Sequence, residues 1–185
     1  MNLHDVLKNG YKKNKSKSLN GYELDTQLSN HNNQIYYNKK ENKLHHNING
    51  TNSLYDWGVN AYLAVGKLKD TNRYKESHRK LRQAKEKYGI DSASISGHSQ
   101  AGQTASYIAG NNDKVITLDK ASTIGGTSKK NETDYRTNGD LVSILNVGRK
   151  HNVTLDNPNK SSGNIIKDIL NAHDVNNIKN NKIFT

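Results

Sequence analysis

The sequence contains no cysteine among its 185 residues, so disulfides and thiol chemistry are both excluded. The absence of cysteine is typical of a reducing compartment. Proline, phenylalanine, tryptophan and methionine occur once each, and tyrosine, with ten copies, supplies most of the aromatic bulk. Hydrophobic residues make up only 31% of the chain, and the mean hydropathy is −0.99. We therefore expect a small core beneath a very polar surface.

Long apolar runs are also missing from the chain. No stretch approaches the ~20 consecutive apolar residues of a membrane span, and residues 1–5 do not begin a signal peptide. We therefore expect neither segment, and a location in the cytoplasm or, if the source is a virus, in the virion. No linker divides the chain, which predicts one domain over residues 19–185, preceded by a basic arm or frayed helix over residues 1–18.

Acidic residues are outnumbered, with 17 against 28 basic ones and a net charge of +11. The lysines are scattered among asparagine, isoleucine and tyrosine, whose codons are all A/T-rich, so genomic base composition explains the charge as well as a ligand does. No zinc-finger spacing, glycine-rich phosphate loop or RNA-binding motif is present. We therefore do not predict a nucleic-acid partner, a metal or a cofactor. An acidic membrane surface stays open as a partner.

Ser99 is at the apex of the segment Gly97-His98-Ser99-Gln100-Ala101-Gly102. A short strand pattern precedes it and a run of small residues with helical character follows, which is the layout of a nucleophile elbow. Small residues two positions before and after the serine let the strand and the helix approach closely. The N-terminus of the helix directs N–H groups and its positive dipole end to the place where an oxyanion forms. This pattern predicts Ser99 as a nucleophile.

Periodicity predicts the elements before the elbow. Two short runs, residues 34–38 and 43–49, flank a four-residue polar turn and indicate a hairpin. Apolar residues at helical spacing predict helices over residues 53–68 and 73–88, with Gly89 ending the second. His78 falls on the apolar face of the second helix, and we interpret it as a packing or solvated residue rather than a catalytic one.

The elements after the elbow predict a parallel sheet. Residues 114–119 form the next strand pattern, and the strand–helix–strand order implies a right-handed parallel crossover. Residues 147–163 hold the only proline and indicate a long loop. Residues 165–170 indicate a final helix. The fold class predicted is therefore α/β, a mostly parallel sheet with helices on both faces.

A serine hydroxyl needs a base to remove its proton, and the base needs a third group to orient it. In this fold class, the acid and then the histidine follow the serine along the chain. Only His151 and His173 lie downstream of the elbow. We favour His173, just past the last helix, over His151, which lies in a Lys- and Asn-rich loop. His98 is next to the nucleophile and is interpreted as shaping the turn.

Three aspartates are candidates for the third group. Asp140 lies in a Gly-Asp turn beside a strand, where a carboxylate can reach the carboxyl edge of the sheet, and we favour it. Asp119, at the end of the predicted strand, is the alternative. Asp134 is the weakest of the three.

Together these motifs resemble the class 3 (triglyceride) lipase-like family of α/β hydrolases. The matching residues, in chain order, are Gly50-Thr51, Asp56-Trp57, Gly97-His98-Ser99-Gln100-Ala101-Gly102, Arg136, Gly139-Asp140, Val142 and His173. The similarity runs from about residue 34 to residue 173. Ala101 stands where the family usually has glycine, and Asn49 where it usually has arginine.

The resemblance implies Ser99 as nucleophile, Asp140 as acid and His173 as base, with Thr51 and the backbone N–H of Gln100 forming the oxyanion hole. It also implies a compact α/β-hydrolase-like fold, in which the sequence shows no lid domain. The expected activity is that of a lipase or esterase in lipid degradation, acting on shorter acyl esters or amphiphilic lipids through an acyl-enzyme. The alternative is a catalytically silent scaffold of the same fold with a structural or binding role, for example in a virus particle.

Overall fold

One sheet contains all the strands that the structure, a computed structural model, describes over residues 1–50, 68–122, 128–157 and 162–180. Its strands are adjacent in the order of the sequence. They are β1 Ser18–Leu19, β2 Tyr22–Leu24, β3 Asn33–Asn38, β4 Lys43–Ile48, β5 Ser94–His98, β6 Lys114–Leu118, β7 Glu132–Thr137 and β8 Asn152–Leu155. Strands β1 to β4 pair antiparallel, and β4 to β8 pair parallel.

Helices pack on both faces of this sheet. They are α1 Leu3–Tyr11, α2 Asn72–Tyr88, α3 Gln100–Ile108 and α4 Ile165–Ala172, with short 3₁₀ helices at Leu68–Asp70, Ile144–Asn146 and Val175–Asn180. Ile35 of β3 lies in a core cluster with residues of α2 and α3. The next residue, Tyr36, lies in a second cluster with α1 and Ile178, because successive side chains of a strand point to opposite faces. The arrangement confirms the predicted α/β class.

The hairpin and the second predicted helix are confirmed. Strands β3 and β4 pair in register around a turn in which Asn38 Oδ1 accepts from Glu41 N at 3.0 Å and Asn42 has φ 49°. Helix α2 begins after Thr71, whose hydroxyl accepts from Tyr74 N, and ends at Gly89, where φ is 61°. The helix predicted over residues 53–68 lies outside the described residues, except for its last position.

The N-terminal segment is helical and contributes to the core. Of the two alternatives for residues 1–18, an arm or a frayed helix, the structure has helix α1, capped by Asn2, whose side chain accepts from Asp5 N. Leu3, Val6 and Leu7 are buried in the cluster on the α1 face of the sheet. The short apolar group that they form in the sequence therefore packs against the sheet.

The second half differs from the prediction at one place, because the loop predicted over residues 147–163 contains strand β8. The strand beside the Asp140 turn is β7, which directly precedes the turn. Strand β7 is polar because Lys120, itself 2% exposed, lies 2.7 Å from Glu132 Oε1 and 2.9 Å from Asp134 Oδ2. A buried ion-pair network here takes the place of the apolar residues expected of a parallel strand. On α2, His78 is exposed, which agrees with the solvated alternative of the prediction.

Buried histidines make the fold sensitive to acid. His45 Nε2 lies 2.9 Å from Ser96 Oγ, and His46 Nε2 lies 2.9 Å from Asn33 Oδ1. Burial lowers the pKa of each imidazole to about 3. The unfolded chain, in contrast, takes up protons on both residues below pH ~6.5.

We therefore expect the free energy of unfolding to fall as the pH drops from 7 to 5.5, by about 1 kcal/mol for each of these histidines. The sign follows because the unfolded state binds more protons. Denaturant unfolding at both pH values measures the effect. In His46→Asn, the fall in the free energy of unfolding should be smaller by the contribution of one histidine. His78→Gln, on the exposed face of α2, is the control and should leave the fall unchanged. An acid-induced loss as large in His46→Asn as in the native protein would contradict the prediction.

Candidate active site

Ser99 is held in a strained backbone conformation between β5 and α3. Its φ is 63° and its ψ is −130°, a region that L-residues rarely adopt and that costs about 1–3 kcal/mol. The conformation is fixed from both sides, because Ser99 N donates to Leu118 O at 3.0 Å and Ser99 O accepts from Gly102 N and Ala121 N. The strand–turn–helix arrangement predicted around Ser99 is confirmed.

The residues on either side of Ser99 leave no room for larger side chains. A Cβ at Gly97 would lie 2.4 Å from the backbone oxygen of Ala101, so β5 and α3 can approach only because position 97 is glycine. Ala101 itself is buried. Helix α3 begins at Gln100, whose backbone N–H has no acceptor within the helix and is available next to Ser99. Thr51, the other predicted oxyanion donor, lies outside the described residues.

His173 and Asp140 form a buried hydrogen-bonded pair. His173 directly follows α4, and its Nδ1 lies 2.8 Å from Asp140 Oδ1. Ser143 N donates to Asp140 Oδ2 at 2.7 Å and the Ser143 hydroxyl donates to the same oxygen, while Val142 N donates to Oδ1 at 3.3 Å. The carboxylate of Asp140 is therefore fixed in orientation before it contacts the imidazole.

The interaction between Asp140 and His173 outweighs the effect of burial on the pKa of each group. Burial acts to raise the pKa of Asp140, but hydrogen bonds from His173 and Ser143 outweigh it and lower the pKa. Burial acts to lower the pKa of His173, but the hydrogen bond to Asp140 and its negative charge outweigh it and raise the pKa. With Nδ1–H donated to the carboxylate, the lone pair of the imidazole is on Nε2.

The Nε2 atom of His173 is buried and has no hydrogen-bond partner within the described ranges. Ring nitrogens of His4, His46 and His98 are also buried and unpaired, so what distinguishes His173 is the buried carboxylate on its Nδ1. The His173 ring lies against the ring of His98, with centroids 4.5 Å apart and planes 33° from parallel. Since His98 immediately precedes Ser99, this contact brings the His173 ring to the elbow.

The alternative residues have other partners. Asp119, at the end of β6, accepts from Thr137 N at 2.6 Å and from Thr137 Oγ1 at 3.0 Å, and burial and then the charge of Asp140 raise its pKa to about 7. Asp134 accepts from Thr117 Oγ1 and Lys120 in the buried network. His151 is exposed before β8. Within the described residues, no hydrogen bond joins any of the three to His173.

Three buried groups here could in principle hold a metal ion. Donor atoms of His98, Asp119 and His173 all lie within 4.8 Å of one another. A zinc site needs the lone pairs of both imidazoles to converge on one ion at ~2.1 Å, but the two rings are closer to stacked than to convergent, and both oxygens of Asp119 already accept hydrogen bonds. The arrangement suits proton transfer better than metal binding.

Sequence reasoning missed two residues of this site. Ser143 holds Asp140, and its signal is local, because an aspartate commonly accepts from backbone N–H groups two and three positions on. Tyr11 Oη lies 2.9 Å from His98 Nδ1. Tyr11 has no local signal, since 87 positions separate it from His98.

Comparison with known proteins identifies no family for the chain. No protein-family profile and no curated protein sequence matches it. The Lip2 lipase from Yarrowia lipolytica aligns with a TM-score of 0.47 and 15% identity, covering 76% of this chain and 72% of that lipase. The Rhizomucor miehei lipase in its propeptide complex aligns with a TM-score of 0.39 and 12% identity, covering 69% and 49%. The chain thus spans about half of the Rhizomucor protein.

Proposed function

We propose that this protein is a serine hydrolase that cleaves carboxylic esters, with Ser99 as nucleophile, His173 as general base and Asp140 as the acid that orients it. One observation carries the proposal. A buried histidine donates Nδ1–H to a fixed, buried carboxylate while its Nε2 stays unpaired, and its ring packs on His98, which directly precedes a serine held at φ 63° on a strand-to-helix turn.

The chemistry follows from these positions. Nε2 of His173 takes the proton of Ser99 Oγ as Oγ bonds to the ester carbonyl carbon, and Asp140 stabilises the imidazolium that results. The N–H of Gln100 and the Thr51 donors hold the oxyanion. The imidazolium then gives its proton to the leaving alcohol as the C–O bond breaks. Water, activated by the same histidine, hydrolyses the acyl-enzyme and restores the serine.

An exposed apolar row next to Asp140 favours an amphiphilic substrate. Leu141, Ile144 and Val147 are 49%, 45% and 61% exposed. They are three positions apart in a segment of successive i→i+3 backbone hydrogen bonds, in which such positions eclipse. The polar residues between them, Ser143 and Asn146, are buried.

Apolar residues outside and polar ones inside suit contact with acyl chains. Together with the net charge of +11, the row favours lipid-like esters at an acidic membrane surface as the substrate. A shorter acyl ester that contacts only part of the row also fits this substrate class.

A fluorophosphonate probe tests the proposal. The probe phosphonylates a serine only where a base removes its proton, so we expect one adduct, on Ser99, in the native protein and none in Ser99→Ala. Intact-protein mass and peptide mapping measure it, and Ser106→Ala, which removes a buried hydroxyl of α3, is the matched control that should still be labelled. A native protein that takes up no probe at Ser99 would favour the silent scaffold.

A further inference from the structure

Helix α1 supplies a side chain to the surroundings of the proposed base. Tyr11 is the last residue of α1, and its hydroxyl oxygen lies 2.9 Å from Nδ1 of His98. The two rings meet edge to face, with centroids 6.0 Å apart and planes at 78°. His98 in turn packs on the ring of His173 at 4.5 Å. The three rings therefore form a continuous row of ring contacts from α1 to the base.

Charge and hydrogen bonding favour one arrangement of the protons along this row of rings. Burial raises the pKa of Tyr11 to about 12, so the phenol keeps its proton. Burial, and then the charge of His173, lower the pKa of His98 well below its usual value, so its imidazole is neutral. The backbone N–H of Gly50 donates to the phenol oxygen. The phenol O–H is thus free to donate to His98 Nδ1, which puts the histidine's own proton on Nε2, a buried atom without a hydrogen-bond partner among the described residues.

We propose that Tyr11 is a positioning residue that holds His98 as a neutral, Nε2-protonated ring against the face of His173. The proposal rests on the proposed function, because the ring that it positions is the general base. A fixed neutral neighbour keeps the His173 ring in one orientation and places no second positive charge beside the imidazolium that forms during catalysis. Asp140 fixes His173 from its Nδ1 edge, and His98 fixes it from its face.

The same hydroxyl also lies against the end of β4. A Cβ at Gly50 would lie 2.3 Å from Tyr11 Oη, so this position accepts only glycine while the phenol is in place. Gly50 directly precedes Thr51, and the carbonyl of Asn49 accepts from Arg73 Nη2. Tyr11 therefore contacts both His98 and the backbone that leads to the proposed oxyanion donor.

Tyr11→Phe removes only the hydroxyl, so it tests whether Tyr11 positions the His98 ring or only stabilises the fold. We expect kcat for ester hydrolysis, and the rate of fluorophosphonate labelling, to fall by roughly tenfold to a hundredfold with little change in KM. Tyr36→Phe is the matched control, because Tyr36 is buried on the same face and its hydroxyl bonds to Asn9 of α1 rather than to His98. Equal rate losses in the two variants would overturn the proposal.

A double-mutant cycle identifies the route of the effect. If Tyr11 acts through His98, Tyr11→Phe should cost almost nothing further in a His98→Asn background, so the two losses should not add. Additive losses would mean that the phenol acts elsewhere.

Imidazole ¹⁵N NMR gives a readout that needs no turnover. His98 should carry its proton on Nε2 in the native protein, and its Nδ1 resonance should move in Tyr11→Phe but not in Tyr36→Phe. A native His98 protonated on Nδ1, or an unmoved resonance, would overturn the proposal whether or not Ser99 reacts. If Ser99 takes up no probe while the resonance behaves as expected, the proposed function fails and the Tyr11–His98 contact stands.

Discussion

Ser99→Ala is expected to reduce ester hydrolysis by about a millionfold, because loss of the nucleophile removes everything that the triad does as a unit. The fold should survive, since only a hydroxyl is removed and the backbone strain at φ 63° is the same for alanine as for serine. Hydrolysis of short p-nitrophenyl esters measures the first effect, and thermal unfolding the second.

Ser99→Gly is the control that separates chemistry from folding. Glycine adopts a positive φ without steric cost, so this variant should be as inactive as Ser99→Ala and yet more stable than the native protein, by about 1 kcal/mol. A gain in stability together with a loss of activity is hard to obtain from general damage to the fold. A residual rate above about one hundredth of native in either variant would place the nucleophile elsewhere.

The elbow could be predicted because its signal is local. Small residues at positions 97 and 101 and the turn between strand and helix are all encoded within about ten residues, and the structure uses them for one close contact between β5 and α3. The hairpin of β3 and β4 is local in the same sense, because Asn38 and Asn42 supply the turn geometry themselves. Short-range patterns of this kind can be recognised in the sequence without knowledge of the tertiary contacts.

Strand β7 could not be predicted, because its signal depends on tertiary partners. The side chains of Glu132 and Asp134 are buried, but a search for alternating apolar residues finds only polar ones here and favours a loop. Their burial becomes favourable only once Lys120 lies within 2.9 Å of both. Residue 120 follows β6 and lies 12 positions before Glu132, and the sequence does not show that the two side chains meet.

The candidate site divides in the same way. Chain order limits the acid and the base to a few candidates after Ser99, but it contains no distance, and only the tertiary fold brings the turn after β7 to within 2.8 Å of the residue after α4. Tyr11 is beyond sequence reasoning altogether, since only the packing of α1 on the sheet brings it to His98. The residues proposed to perform the chemistry are thus easier to predict from the sequence than the residues that position them.

Asp140→Asn is expected to lower kcat by about ten-thousandfold, while Asp119→Asn lowers it by less than about tenfold. Both carboxyl groups are buried near His173, but only Asp140 accepts from its Nδ1. An amide at position 140 can donate to that nitrogen and so favour the wrong tautomer. Asp119 instead accepts from Thr137 through both oxygens, and an amide oxygen at position 119 can still accept the backbone N–H of Thr137.

The pH dependence of kcat/KM tests the same assignment independently of the size of the loss. His173 must be neutral to act as a base and its pKa is raised, so activity should appear as the pH increases, with a midpoint above 6.5. The hydrogen bond and charge of Asp140 are the main causes that raise this pKa, and the charge of Asp119 adds to them. The midpoint should therefore move to lower pH in both variants, and further in Asp140→Asn. A larger shift and a larger rate loss in Asp119→Asn would reassign the acid to Asp119, which ends β6 rather than following β7.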